Sequence, residues 1–403
     1  MIKNKLVLNV LALFVLSFAF SALVQAQDYQ IVSTSSSTVA NNITRTVTIV
    51  QVGANPLNRF VMTRVRKDVP DQALKGTVLL LPPLASGFQN YEVGDDGDYD
   101  RSFAGFLARR DYDIWGYSQR VQGLAAGSCE SNAVDCSVMA GWGIQAILDD
   151  VAFIRQQIEA AHPGEKPVVG GLSLGSIVSL ATINANPNDY KGAILLDGTL
   201  YDTDPAVRNI NSNFCSLFNN LLANGVYYDG QGLAGAKLIS QLAQIDPNGP
   251  SPIPGFPPGF TNHQAFVASM AAPPLSPITP RPGFYQLAGS VAEDRLFFAN
   301  ESLVHVNVTG FVSYVANKTL LDLNCGLAGE RAFNNNLHNF TGSVLIFAAG
   351  NGFGSGMLDT ASLMTSAKVT LNFRGEYGHV DYVFSNEHLQ EVEHPVLKWL
   401  SKL

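Results

Sequence analysis

Three patterns of apolar and polar positions follow one another along the chain. In "QIVSTSSSTV", "RTVTIVQV" and "NRFVMTRVRK", β-branched residues alternate with polar ones. That alternation predicts three strands with one wet face each. From Lys75 the pattern changes. "GTVLLLPPL" is a continuous apolar run, expected of a strand covered on both faces in a parallel sheet. "DRSFAGFLARR" has helical spacing, and "YDIWGYS" reads as the next strand. In "GIQAILDDVAFIRQQIEAAH", Ile144, Ile147, Leu148, Val151, Ile154 and Ile158 fall on one side of an amphipathic helix. Strand "PVVGG", helix "GSIVSLATINA" and strand "GAILLDGT" follow. This alternation predicts an α/β fold: a mostly parallel sheet flanked by helices and joined by right-handed crossovers.

The rhythm stops near Leu200. From there to about Asn339 a loop-rich insertion is expected. "DPNGPSPIPGFPPGF" and "PPLSPITPRPGF" cannot form regular helix or central strand, and only short helical pieces such as "GLAGAKLISQLAQI" relieve them. The core pattern then resumes with strand "SVLIFAAG", helix-like "GMLDTASLMTSA", strand "KVTLNF" and a last helix "EHLQEVEHPVLKWLSKL". His388 and His394 on that helix are expected in solvent. The organisation predicted is one core in two parts, residues 27–200 and 341–403, interrupted by an insertion at 201–340.

Composition narrows the class. The chain has 403 residues, 46% hydrophobic and 14% charged, enough apolar material for a large core and too much for a disordered chain. The net charge of −8 and the lack of basic runs give nucleic-acid binding no electrostatic support. Lys3 and Lys5 precede the apolar run "LVLNVLALFVLSFAFSALV", and "VQA" ends at Ala26. Residues 1–26 are therefore expected to be a cleaved export signal, making the protein secreted or periplasmic; an uncleaved anchor is the alternative. In an oxidising compartment, Cys129, Cys136, Cys215 and Cys325 suggest disulfides. A Cys129–Cys136 bridge would close the polar loop "ESNAVD" and leave Cys215 to pair with Cys325, although four cysteines allow three pairings. Sequons stand at Asn42, Asn300, Asn307, Asn317 and Asn339. "DDGDYD", Asp95 to Asp100, fails the EF-hand pattern, with Arg101 at the glycine position and no closing Glu, and reads as a solvated acidic loop.

The chemistry centres on "GGLSLGS". A Gly-x-Ser-x-Gly pentad says little alone, but here strand "PVVGG" precedes Ser173 and a helix follows it. That context is the nucleophile elbow, where Gly171 and Gly175 leave room beside the serine. A serine hydroxyl needs a base. The partners follow in the order Ser, acid, His, and His379 in "NFRGEYGHVDYVFS" stands after the last strand, where the base belongs.

On these residues the chain resembles the α/β-hydrolase superfamily, and within it the acid lipases. "SFAGFLARRDYDIWGYSQR", "GGLSLGS" and "YGHVDYVF" are similar to segments of those lipases, over about Gly76–Leu200 and from Gly342 to the C-terminus. The resemblance implies the α/β-hydrolase fold, a cap or lid inserted after what that family counts as its sixth strand, and an oxyanion hole of two backbone N–H groups. Leu174 would supply one. The other would come from "LPPLASG", where Pro82 and Pro83 replace the family's His-Gly and Leu84 takes the donor position. The family's acid follows its seventh strand, yet here Asn351 stands in "AAGNGFGSG". Asp197 in "LLDGT" is the favoured acid. Asp359 swinging in, or Asn351 orienting His379 as an amide, are the other two.

The reading is a secreted serine esterase or lipase that forms an acyl-enzyme on Ser173, with His379 as base, and implies no metal or cofactor. Its partner is a small-molecule or lipid ester, with an apolar cap able to touch a lipid surface transiently. A catalytically impaired member that binds an apolar ligand, or a peptidase of the same fold, is the alternative.

Overall fold

The computed structural model of the chain describes residues 28–94 and 97–403. The expected export signal, and Asp95 and Asp96 of the acidic loop, lie outside the described residues.

The first three strands are β1 (Tyr29–Ala40), β2 (Ile43–Val52) and β3 (Arg59–Lys67). β4 (Gly76–Leu81) leads to helix α1 (Phe103–Arg109), and β5 (Tyr112–Ser118) to α2 (Ile144–Ala161). β6 (Val168–Leu172), α3 (Leu174–Ala185) and β7 (Gly192–Leu196) complete the first half. Among the described residues, one sheet of nine strands forms in the order β1-β2-β3-β5-β4-β6-β7-β8-β9, with β8 (Ser343–Ala349) and β9 (Lys368–Arg374) arriving after the 201–340 segment. β1 to β3 pair antiparallel, and β3 pairs antiparallel with β5. The other pairs, from β5 through β4 to β9, are parallel.

The continuous apolar strands are explained by two-sided burial. In β4, Leu79 and Leu81 face one core and Val78 and Leu80 the other. β7 divides in the same way, Ala193 and Leu195 from Ile194 and Leu196. One core is closed by α2 and α3, the other by α1 and the C-terminal helix. A side-chain period of two thus buries every residue of a strand sandwiched between helix layers. Leu148, expected on the buried stripe of α2, is only half-buried, while Asp150 on that helix is buried.

The 201–340 segment is more helical than expected. α4 (Pro205–Ala223) runs for 19 residues, followed by α5 (Gln231–Ile245), α6 (Asn262–Ala271), α7 (Glu301–Thr309) and α8 (Asn317–Ala328). α4 begins with the Asp204 carboxylate accepting from Ala206 N and with Pro205 in the first turn, both start signals. Its Asn- and Ser-rich interior has weak helix propensity, so packing against α8 and the Cys215–Cys325 bridge decide its state. Cys129–Cys136 forms the second bridge, and no cysteine is free. The Pro-rich stretches are loops, as expected.

After β8 come α9 (Gly354–Leu363), β9, and the expected last helix, which is helical without a break over residues 388–400. Residues Leu389–Glu393 form a π turn, and α10 spans His394–Leu400 with Pro395 in its first turn. The proline lacks the N–H that would continue the earlier ladder. His388 is buried against Glu393, with Nδ1 2.8 Å from Oε1, contrary to the solvated position expected of it. Of the sequon asparagines, Asn307 and Asn317 are buried and closed to modification in the folded chain.

Candidate functional site

Strand order reverses at β4, which lies between β5 and β6. At such a switch point the loops leaving the C-terminal ends of adjacent strands diverge and leave a crevice. Ser173 sits there, directly after β6. Its backbone has φ 58° and ψ −119°, a left-handed conformation that a non-glycine residue adopts only when its surroundings hold it. The surroundings do. Ser173 N donates to Leu196 O at 2.9 Å, and α3 starts at the next residue. The flanking glycines are needed for space: a Cβ on Gly171 or Gly175 would stand 2.2 or 1.9 Å from Leu81 O.

Asp197 and His379 converge on this serine. Ser173 Oγ lies 2.8 Å from His379 Nε2, and His379 Nδ1 lies 2.7 Å from Asp197 Oδ2. Asp197 follows β7 with φ 41° and is fully buried. Its carboxylate also accepts from Ala349 N at 2.8 Å and from Phe353 N at 3.0 Å. A buried carboxylate with three donors is satisfied as an anion. With His379 Nδ1–H donating to it, Nε2 of the neutral ring is the acceptor for the serine hydroxyl. Phe284 and Phe353 flank the imidazole with ring centroids 5.1 Å away. The histidine loop is fixed from outside the core: His379 N donates to Tyr285 O and Val380 N to Gln286 O.

Of the three candidate acids the structure brings in one. Asn351 turns away, its side chain donating to Glu376 O at 3.2 Å while its backbone bonds Tyr377 and Tyr285. Asp359 accepts from the N–H and hydroxyl of Thr203, both at 2.7 Å. Where the resemblance implies an acid after β8, the chain instead supplies N–H donors and a glycine. A Cβ on Gly352 would stand 2.1 Å from Asp197 Oδ2.

Leu174 is the first residue of α3, so its N–H is among those a helix leaves without an internal partner. Leu84 borders the same cavity as Ser173 and Leu174. Its loop is braced by a residue that sequence reasoning missed: Gln119 Nε2 donates to Pro83 O at 2.9 Å and Ser86 O at 3.3 Å. Tyr91 OH ties the same region together, donating to Leu81 O and accepting from Leu172 N. No local motif announces either side chain.

The cavity above the serine has a volume of about 980 Å³. Ser173 and His379 form part of its wall, and Phe218, Leu233, Ile253, Phe256, Phe260 and Phe311 of the 201–340 segment line much of the rest. Among the described residues, the one cluster of metal-ligating type, Cys215, Cys325 and Glu330, has both sulfurs in a disulfide. No helix of the described residues is long and apolar enough to cross a membrane.

A parallel sheet with antiparallel leading strands, a strained serine after β6 and a histidine after β9 define the α/β-hydrolase fold, and this chain has it. Among solved structures it is similar to a candidate lipase from Sulfolobus solfataricus, at 20% identity and a TM-score of 0.63, over 93% of this chain and 99% of that one. A monoacylglycerol lipase from Paleococcus ferrophilus aligns at 13% identity and a TM-score of 0.49, over 85% and 98% of the two chains. A thermophilic esterase from Thermogutta terrifontis aligns at 13% identity and a TM-score of 0.47, over 87% and 96%. No family model and no curated protein sequence matches the chain.

Proposed function

We propose that the protein is an exported serine hydrolase that cleaves carboxylic esters with a substantial apolar part. The observation that carries this reading is the Ser173–His379–Asp197 relay, with contacts of 2.8 and 2.7 Å, opening on a large apolar cavity. Ser173 attacks the ester carbonyl while His379 Nε2 takes its proton. Asp197 stabilises the imidazolium, which returns the proton to the leaving alcohol. The N–H groups of Leu174 and Leu84 hold the oxyanion, and water then frees the acyl group from Ser173. Residues 201–340 act as the cap, and their apolar side chains receive the acyl chain. The two disulfides and the sequence of residues 1–26 support export. A protein that only binds an apolar ligand is favoured less, because its support was the missing acid after β8, and Asp197 takes that place.

The test is hydrolysis of p-nitrophenyl esters of two to sixteen acyl carbons by the wild type and Ser173→Ala. Turnover that rises with chain length and falls by several orders of magnitude in the variant is expected. A folded wild type as inactive as Ser173→Ala on every ester would overturn the reading.

A further inference from the structure

Asn90 is a buried side chain in the cavity wall that none of the steps above uses. It lies on a single 3-10 turn, Phe88–Tyr91, which follows the Leu84 loop. Only 6% of the residue is exposed, and it borders the cavity together with Leu84, Leu172 and Ser173. Its Oδ1 accepts from the buried hydroxyl of Ser86, which sets the amide plane. Nδ2, the other end of the amide, meets no acceptor among the described residues. The amide oxygens of Asn211 and Asn307 are fully enclosed without a partner, whereas Asn90 Nδ2 is not enclosed in that way, and its residue borders the cavity.

The turn is anchored to both sources of oxyanion donors. Tyr91, the next residue, donates to Leu81 O at 2.7 Å, just before the Leu84 loop, and accepts at 2.8 Å from Leu172 N, just before Ser173. Phe88 N donates to Ser118 Oγ at 2.9 Å and fixes the other end of the turn. A donor held this firmly, with no protein acceptor and at the wall of the cavity, is free to bond a ligand there. The loop also needs donors, since Pro82 and Pro83 contribute no N–H.

We infer that the side-chain amide of Asn90 donates a third hydrogen bond, beside the N–H groups of Leu174 and Leu84, to the ester carbonyl oxygen as it becomes an oxyanion. The inference rests on the ester-cleaving reading. The negative charge grows only after Ser173 attacks, so the bond strengthens in the transition state and acts on kcat more than on KM. Asn90 performs no proton transfer.

The experiment compares kcat and KM of wild type, Asn90→Ala, Asn90→Asp and Ser86→Ala on a p-nitrophenyl ester from pH 5 to 9, with thermal unfolding of each. Asn90→Ala should lose about 10²-fold in kcat with KM changed only a few-fold, the size of one oxyanion donor. Asn90→Asp keeps the shape and the Ser86 hydrogen bond but replaces the donor by a carboxylate. It should lose more at pH 9, and its rate relative to wild type should rise as the pH falls, because a protonated carboxyl donates again. Ser86→Ala should lose less than either. If both Asn90 variants keep kcat within about threefold of wild type at every pH, the inference is wrong and the esterase reading stands. The inference also fails, with the esterase reading intact, if Ser86→Ala matches Asn90→Ala and the loss lies in KM. A wild type that neither turns over esters nor reacts with a fluorophosphonate at Ser173 overturns the esterase reading and this inference with it.

Discussion

At the scale of single residues, the proposed relay turns on which carboxylate meets His379. Asp197 Oδ2 is 2.7 Å from His379, while Asp359 is occupied by Thr203. Asp197→Asn should lower kcat about 10⁴-fold, because an amide there favours the wrong imidazole tautomer. Asp359→Asn should stay within about threefold of wild type in the same ester assay, and equal losses would reverse the assignment. Ser173 and His379 were legible because each lies in a local pattern: an elbow between strand and helix, and a loop after the last strand. Asp197 was only one of three options. Its side chain reaches His379 because β7 and β8 are neighbours and Gly352 leaves room between them. Nothing adjacent to Asp197 in sequence encodes that neighbourhood.

At the scale of elements, short segments fasten the site from both sides. Asp381 joins the histidine loop to the 285–288 segment, with its Oδ2 accepting from Ala288 N at 2.8 Å and Gly378 N at 2.6 Å. Burial pushes its carboxyl up to about 7, against the pull of those two N–H groups. The folded protein therefore holds this proton more tightly than the unfolded chain, where the value is 3.8. The group's contribution to stability falls as pH rises from about 4 to about 7 and is constant above. Asp381→Asn removes that slope. Measured by denaturant unfolding, the variant should gain on wild type by up to about 1.4 kcal/mol per pH unit in that window. A difference that does not change with pH would show that Asp381 does not titrate there. The elbow makes a second prediction. Gly175→Ala puts a Cβ 1.9 Å from Leu81 O, so β4 or α3 has to shift, and the soluble variant should lack ester turnover even with Ser173 intact. Strand and helix types in the core were legible from their periods, but α4 was not. Its polar interior looks like loop until α8 packs beside it.

At the scale of the whole molecule, long-range links tie distant segments together. The Cys215–Cys325 bridge spans 110 residues and joins α4 to α8. Cross-linking so long a loop restricts the unfolded chain strongly, so Cys215→Ser with Cys325→Ser should cost about 2–5 kcal/mol by chemical unfolding. Arg120 and Asp150 form another link, a buried ion pair at 2.6 Å, with Tyr117 OH donating to Asp150 at 3.1 Å. Arg120→Ala would strand a buried carboxylate, and a loss of about 3–5 kcal/mol is expected in the same assay. The sequence alone determined the two-sided core strands, the helices between them, the strained serine and the place of the histidine, because hydrophobic period and turn chemistry are local properties of the chain. Tertiary structure alone decided which carboxylate meets His379, that Asp150 and His388 are buried, that Gln119 braces the Leu84 loop and that Asn90 borders the cavity. Each of those depends on which strands and loops become neighbours, and residues far apart in sequence carry no local sign of the contact they will make.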